Sequence, residues 1–206
     1  MKLIILGAQG SGKGTQAKLL SESFKIPHIS TGDILREEYE NKTELGLMTN
    51  EYTKKGLLIP NELVNDIINK RLERKDCKKG FILDGYPRNI EQANFLSKII
   101  EIDKVIYLKV SEDVVFKRLA ERLICSKCNQ IYGINKKPKK EGICDECGSK
   151  LVKRQDDKEE EQIRTRLRGY EEKTLPLLGF YKNKLIEIDG SGKPIEIFKD
   201  IIRVLK

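Results

Sequence analysis

A glycine-rich segment near the start of the chain, GAQGSGKGT at residues 7–15, constrains the fold more than any other part of the sequence. It follows a short apolar run at residues 2–6 and precedes a run at 15–24 whose apolar residues have helical spacing. Glycines let successive backbone N–H groups turn towards a phosphate, and the helix N-terminus adds positive potential. Lys13 can reach the β and γ oxygens of a bound polyphosphate. A strand, this loop and a helix in that order predict a phosphate-binding loop in an α/β fold.

The alternation of strand and helix recurs along the chain. Apolar runs predicted to be buried strands lie at residues 80–84, 104–108 and 185–189. Helical patterns lie at residues 89–101, 112–124 and 195–205. Strands that alternate with helices form a parallel sheet covered on both faces. We therefore predict an α/β fold with a parallel sheet of about five strands flanked by helices, in one body of 206 residues.

Two stretches do not follow this alternation of strands and helices, and we predict that they are excursions from the sheet. Residues 30–59 are largely helical and polar, whereas residues 125–153 are rich in lysine, glycine and cysteine. The second stretch contains two C-x2-C pairs, Cys125 with Cys128 and Cys144 with Cys147. Pairs with this spacing are typical of a tetrahedral zinc site, with free thiols as the alternative. Four thiolates leave no open position on the metal, so we predict one structural Zn²⁺. The fifth cysteine, Cys77, lies outside the pairs and is predicted to be an inert thiol.

The composition excludes several classes of protein. Charged residues make up 35% of the chain and hydrophobic ones 38%, which is typical of a globular protein rather than a disordered one. The sequence has neither a signal-peptide pattern nor an apolar run long enough to span a membrane, so we expect a cytoplasmic protein without a membrane partner. The net charge of +8 suits an anionic partner but also an ordinary solvated lysine-rich surface.

Two further segments identify a second anion site. They are ISTGDILR at residues 29–36 and DGYPR at residues 84–88, the latter followed by Gln92. In the glycine-rich loop, Gly14 stands after Lys13 where most phosphate-binding loops place a metal-binding Ser or Thr. The glycine-rich loop therefore has the form GKGT. Together, this loop and the two segments resemble the adenylate kinases, a family of nucleoside monophosphate kinases, and the resemblance covers essentially the whole chain. The resemblance implies reversible, Mg²⁺-dependent phosphoryl transfer from ATP to AMP, giving two ADP.

The resemblance also implies site residues. ATP would be bound by Gly10, Ser11, Gly12, Lys13, Gly14, Thr15, Arg118, Arg122 and Lys193. AMP would be bound by Thr31, Arg36, Leu57, Leu58, Ile59, Gly85, Arg88, Gln92, Arg154 and Arg166. The catalytic residues would be Lys13, Asp84, Arg88, Arg122, Arg154 and Arg166, with Asp84 ordering the water around Mg²⁺. Several arginines and no nucleophile suit a reaction in which positioning and charge neutralisation do most of the work.

The domain organisation that the resemblance implies has three parts. The core would comprise residues 1–29, 60–121 and 160–206, the AMP-binding insertion residues 30–59, and the zinc-binding lid residues 122–159. Arg118 and Arg122 are four residues apart, which would place them on one face of the predicted helix 112–124 and tie the lid to the catalytic charge. A solvated basic face is the plainer interpretation of that pair.

Some assignments stay open. Thr31 would serve equally well as a helix N-cap as in a base contact, and Leu57, Leu58 and Ile59 could simply pack in the core. The sequence departs from the family pattern at Gln9, where proline is usual, and at Leu123, where many relatives have a second arginine. It also has one extra residue near Lys158, which makes Arg164 a competitor of Arg166.

Two other functions compete with this interpretation. A kinase for UMP, CMP or GMP would share nearly all of these motifs, and only Gln92 and Thr31 favour adenine. A nucleic-acid-binding ATPase with a zinc ribbon would use the lysines and Tyr132 as a strand-binding surface. The family resemblance favours a monomer that acts on ATP, AMP and ADP and does not bind nucleic acid.

Overall fold

A five-stranded parallel sheet forms the centre of the computed structural model, which describes residues 1–55 and 57–205. The strands are β1 (Lys2–Leu6), β2 (His28–Ser30), β3 (Phe81–Asp84), β4 (Lys104–Lys109) and β8 (Leu185–Asp189). Their order in the sheet is β2-β3-β1-β4-β8, with every neighbouring pair parallel. The predicted α/β fold with about five parallel strands is therefore confirmed.

The described residues also form α-helices, some of which cover the two faces of this sheet. They are α1 (Lys13–Phe24), α2 (Thr31–Glu40), α3 (Glu44–Lys54), α4 (Asn61–Leu72), α5 (Ile90–Ile99), α6 (Glu112–Ala120), α7 (Glu160–Gly169), α8 (Leu177–Phe180) and α9 (Pro194–Leu205). Short 3₁₀ turns lie at Lys75–Lys79 and Gln155–Asp157, and α7 continues into a π-helical turn at Tyr170–Thr174.

Alternation along β1 divides the core into two layers. Ile4 and Leu6 point into the layer shared with α4, α5 and α8, whereas Leu3 and Ile5 point into the layer shared with α1 and α9. All four side chains are buried, as expected for a parallel strand covered on both faces. This core holds the carboxyl ends of the strands along one edge, where ligands bind in open α/β sheets.

The two predicted excursions have their own secondary structure. Residues 30–59 contain α2 and α3, which pack against each other. Residues 122–159 contain a small antiparallel sheet of β5 (Leu123–Cys125), β6 (Ile131–Tyr132) and β7 (Leu151–Lys153), with β5 in the middle. A separate small cluster of buried residues, Cys125, Tyr132 and Cys144, lies within the second excursion.

Three predictions about local structure are wrong. The helix predicted at 112–124 ends at Ala120, because Leu123–Cys125 pairs with β6 and β7 instead. Arg122 therefore lies outside the helix and does not share a helical face with Arg118. Thr31 is not an N-cap, since the side chain of Ser30 accepts the backbone N–H of Asp33 and caps α2.

Among the residues that the structure describes, no helix combines the length and the apolar character that crossing a bilayer requires.

Candidate active site

One large cavity of about 1500 Å³ lies at the carboxyl ends of the strands. The loop after β1, the segment after β3, α2 and the lid all contribute to its wall. Nearly all of the predicted nucleotide-binding residues line this cavity. They are Gly10, Ser11, Gly12, Lys13, Gly14, Thr15, Thr31, Arg36, Leu57, Leu58, Ile59, Asp84, Gly85, Arg88, Gln92, Arg118, Arg122, Arg154 and Arg166. Among the described residues, Lys193 is the one predicted nucleotide-binding residue that does not line the cavity.

The loop between β1 and α1 has the form of an anion cradle. Gly10 adopts a left-handed conformation, and a Cβ there would lie 3.0 Å from the backbone oxygen of Val115 in α6. Glycine is therefore required for both the turn and the close packing of the loop on α6. The helix begins at Lys13, and the first N–H groups of a helix have no intrahelical partner. Those of Lys13, Gly14 and Thr15 belong to residues that line the cavity, so the loop can bind a phosphate.

Lys13 is held in this loop by two backbone carbonyls. Its Nζ donates to the oxygens of Gly7 at 2.7 Å and Ala8 at 2.8 Å. Burial lowers the pKa of Lys13 to about 8, and the charges of Arg88, Arg122 and Arg166 add to that effect, whereas Asp84 opposes it. Burial is thus the main cost of charging this amine. A bound polyphosphate would stabilise the charged form.

Asp84 ends β3 next to the phosphate-binding loop. A Cβ on Gly14 would lie 3.4 Å from its Oδ2, so the carboxylate lies directly beside the start of α1. Burial alone would raise the pKa of Asp84, but a hydrogen bond to His28 and the charge of Lys13 outweigh burial and lower it. The distance from His28 Nε2 to Asp84 Oδ2 is 3.2 Å. An ionised carboxylate beside a phosphate site suits a hydrated Mg²⁺ ion.

The segment after β3 forms the second anion site. Gly85 adopts a left-handed conformation, and a Cβ there would lie 2.9 Å from the hydroxyl of Thr31. The Gly85 carbonyl accepts hydrogen bonds from Thr31 Oγ1 at 2.8 Å and from Arg88 Nε at 2.9 Å. Burial lowers the pKa of Arg88, and the nearby charge of Arg166 lowers it further. The guanidinium is therefore a desolvated cation at the cavity wall, suited to a phosphate.

Residues from the first excursion close this side of the cavity. Arg36 pairs with Asp33 on α2, so the carboxylate neutralises an arginine that lines the cavity. Leu57 is half exposed at the cavity, whereas Ile59 packs partly against the core. Together, residues 57–59 give the cavity an apolar wall on which a nucleobase could lie.

Three buried arginines and two carboxylates form a network beside the loop. Arg122 makes a two-pronged contact with Asp157, with both N···O distances at 2.7 Å. Arg166 Nη1 donates to the same carboxylate at 2.7 Å, and Arg154 pairs with Asp156. The side chain of Asp157 is 0% exposed. The network thus carries a net positive charge out of water, and its arginines are held ready for anions.

Of the two arginines of α7 that could contact the transferring phosphate, only Arg166 belongs to this network. Arg166 is buried and bonded to Asp157, whereas Arg164 pairs with Glu160 in an exposed i,i+4 contact. Arg164 also lies over the ring of Phe116, with the guanidinium carbon 5.5 Å from the ring centre. Arg166 lines the cavity, which favours it for phosphate contact.

Arg118 contacts two loops rather than the lid. Its guanidinium donates to the carbonyls of Gly190 at 2.9 Å, Ser191 at 3.0 Å and Ser11 at 3.3 Å. Arg118 therefore joins the phosphate-binding loop to the segment after β8. Gly192 and Pro194 of that segment line the cavity, while Lys193 between them is exposed.

The four paired cysteines lie together in the second excursion. Their sulfur atoms all lie within 4.8 Å of one another, with Cys125 Sγ 3.3 Å from Cys147 Sγ and Cys128 Sγ 3.6 Å from Cys144 Sγ. Sulfur ligands about 2.3 Å from a tetrahedral Zn²⁺ lie at comparable separations. The donor set is therefore compatible with zinc. Cys77 lies apart, buried against Arg71.

Tyr132 does not form a strand-binding surface. Its side chain is 1% exposed, and its hydroxyl accepts the backbone N–H of Asp145 at 2.7 Å. A buried ring cannot stack on a nucleic-acid base. The structure thus removes the aromatic platform that the zinc-ribbon alternative requires.

Sequence reasoning assigned no site role to several residues that the structure brings into contact with the site. His28 bonds to Asp84, Asp156 and Asp157 hold the arginines, and Asn61 bonds to Gln92. The two aspartates were part of a recognisable Arg-x-Asp-Asp pattern that could have indicated ion pairs. No local pattern marks His28 or Asn61, because their contacts lie far away in the sequence.

Comparisons with known proteins agree with this geometry. A family profile described as adenylate kinase matches residues 5–186. A protein named adenylate kinase from Caldicellulosiruptor saccharolyticus is 48% identical, with the alignment covering 100% of this chain and 99% of the relative. Adenylate kinases from Fervidobacterium nodosum and Clostridium acetobutylicum are 47% and 46% identical over 100% of this chain, and the alignments cover 97% and 99% of those relatives. The chain therefore belongs to the adenylate kinase family.

Proposed function

We propose that the chain transfers a phosphoryl group reversibly between ATP and AMP to give two ADP, with ATP on the phosphate-binding loop and AMP on the segment after β3. The observation that carries this proposal is the single cavity in which both anion sites meet. Lys13 and Arg88 both line this cavity, and the charge of Arg88 helps to lower the pKa of Lys13. Substrates of an in-line transfer must meet in this way.

The chain's own residues supply positioning and positive charge. The N–H groups at the start of α1 would hold the β and γ phosphates of ATP, and Lys13 would contact the group in transfer. Arg88 and Arg36 would hold the phosphate of AMP. Arg122, Arg154 and Arg166, held by Asp156 and Asp157, would neutralise charge that spreads over the transferring group.

Adenylate kinase activity requires Mg²⁺ with ATP, and Asp84 is the residue that would hold the ion's water shell. Bound Mg²⁺ would supply charge neutralisation on the phosphates. Asp84 is suited to holding the water shell because burial is outweighed by groups that keep it ionised and because it lies beside Gly14. A hydrogen bond to His28 helps to fix the orientation of the carboxylate.

We further propose that residues 30–59 and 122–159 act as two closing units on a core of residues 1–29, 60–121 and 160–206. Closure would exclude water, which would otherwise compete with AMP for the phosphoryl group. The second unit carries Arg122 and Arg154, so its movement would bring charge to the reaction. We expect a monomer without affinity for nucleic acid.

The test of this function is a direct assay. Purified protein is incubated with ATP, Mg²⁺ and each nucleoside monophosphate in turn, and diphosphate formation is followed. We expect AMP to be the best acceptor, and a strong preference for UMP, CMP or GMP would favour the other kinases. ATP hydrolysis stimulated by oligonucleotides, without phosphorylation of AMP, would contradict the proposal.

The pKa of Lys13 leads to a prediction about pH. In the free protein the amine loses its proton near pH 8, and bound phosphates would raise its pKa again. ATP binding should therefore take up about half a proton at pH 8 and nearly one at pH 9, so affinity should fall as pH rises through this range. Calorimetry in two buffers of different ionisation enthalpy measures the uptake. An identical uptake by Lys13→Met would contradict the prediction.

The cysteine cluster leads to a prediction about metal content. We propose one Zn²⁺ per chain, held by four thiolates and serving to stabilise residues 122–159, whose own core is small. Removing the metal, or changing Cys125→Ser, should lower the melting temperature while leaving activity at low temperature largely intact. Cys77→Ala is the matched control and should retain the metal. Elemental analysis that finds no zinc in active, equally heat-stable protein would contradict this.

A further inference from the structure

The side-chain amide of Gln92 is held from two sides. It is buried, with 2% of the residue exposed, although it lines the cavity. Its Oε1 accepts the backbone N–H of Arg88 at 2.7 Å, and its Nε2 donates to Asn61 Oδ1 at 2.9 Å. One acceptor site on the oxygen and one proton on the nitrogen remain for a ligand.

We propose that Asn61 is a positioning residue for base selection: it fixes which end of the Gln92 amide is donor and which is acceptor, so that the site prefers a 6-amino purine to a 6-oxo purine. The proposal rests on the proposed contact between Gln92 and the AMP base. Asn61 itself would not contact the nucleotide.

The donor and acceptor directions of these amide hydrogen bonds are fixed by groups that can act in only one way, a carboxylate and backbone N–H groups. Asn61 Nδ2 donates to the carboxylate of Glu91, which can only accept when ionised. Asn61 Oδ1 must then face inwards, where it accepts from Asn89 Nδ2 at 2.8 Å as well as from Gln92. Asn89 is fixed in turn, because its Oδ1 accepts the backbone N–H of Gln92 at 2.9 Å. Each amide in the network therefore has one permitted orientation.

The position of Asn61 supports an indirect role. It is the first residue of α4 and lines a separate, smaller cleft with Asn89 and Glu91 rather than the main cavity. One turn further along α4, Asn65 accepts the hydroxyl of Tyr86 at 2.6 Å. The helix thus holds the segment 86–92 at both of its ends.

The orientation of the Gln92 amide determines which purine base it can bind. Adenine donates from its 6-amino group and accepts at N1, whereas hypoxanthine accepts at its 6-oxygen and donates from N1. An amide that can turn would serve either base. A fixed amide serves one, because turning it would place Oε1 against Asn61 Oδ1 and Nε2 against the Arg88 N–H. Two buried hydrogen bonds would be lost, which is a substantial penalty.

The experiment compares AMP with IMP, which differ only at this edge of the base. We expect Asn61→Leu to lower the ratio of kcat/KM for AMP to that for IMP by about tenfold, the effect of one hydrogen bond. The KM for ATP should not change. In a Gln92→Leu background, adding Asn61→Leu should have no further effect on the ratio, because the group it orients is gone. Asn69→Leu, on the same helix and bonded to Glu73, is the matched control.

A double variant guards against a purely structural explanation. In Asn61→Asp with Glu91→Gln, position 61 still accepts and position 91 donates to it, so the preference for AMP should return. A wild-type ratio in folded Asn61→Leu, alongside a lowered ratio in Gln92→Leu, would overturn this inference alone. An unchanged ratio in Gln92→Leu would overturn the proposed base contact and the inference with it. A failure of the double variant to restore the ratio would also count against the inference.

Discussion

Lys13→Met is expected to lower kcat by about a thousandfold or more, because its charge faces the group in transfer. The amine lies among Arg88, Arg122 and Arg166, and bound phosphates are the anions that would stabilise it there. A charge that interacts most strongly with the transition state affects kcat more than KM. We therefore expect a modest rise in the KM for ATP beside the large loss of kcat.

The same substitution should not weaken the fold. Methionine matches the length of the lysine stem, and the variant no longer has to bury an amine whose pKa is lowered by desolvation. This gain offsets the loss of the hydrogen bonds to the carbonyls of Gly7 and Ala8. The melting temperature without nucleotide should therefore stay close to that of the wild type. Lys199→Met, an exposed change on α9, should leave the rate unaltered. Near-normal turnover in Lys13→Met would remove this residue from the mechanism.

Local patterns predicted the parts of the site that are continuous in sequence. The loop at residues 7–15 was predictable because glycines, a preceding strand and a following helix lie within one stretch. Asp84 and Arg88 were predictable for a similar reason, since Asp84 ends a strand whose carboxyl end faces the cavity and Arg88 follows shortly after it. The four cysteines carry a spacing that is informative by itself.

Contacts between distant segments could not be predicted in this way. Arg122 was placed on a helix with Arg118 because residues 112–124 have helical periodicity, but pairing of β5 with β6 and β7 ends that helix at Ala120. This freed Arg122 to reach Asp157, 35 residues later. The contact of Asn61 with Gln92 spans 31 residues and involves no periodic pattern. The strand β2 has only three residues, too few to show a period.

The second large effect concerns Asp157, the carboxylate at the centre of the arginine network. Asp157→Ala removes the carboxylate partner of Arg122 and one of the two carboxylate partners of Arg166, whose guanidinium groups stay largely buried. Truncating one side of a buried ion pair costs about 3–5 kcal/mol, which is a large share of the stability of a typical domain. Urea unfolding without nucleotide should show a loss of this size. Glu160→Ala, which breaks the exposed pair with Arg164, should cost far less, because an exposed ion pair contributes little to stability.

Nucleotide should offset part of the loss in Asp157→Ala. If the arginines that Asp157 holds are the ones that bind phosphate, saturating Mg²⁺ and ADP would supply the missing negative charge. The rise in melting temperature on adding ADP should therefore be larger in the variant than in the wild type, although its kcat is lower because the arginines are less well oriented. An equal rise in both proteins would mean that Arg122 and Arg166 serve only the fold.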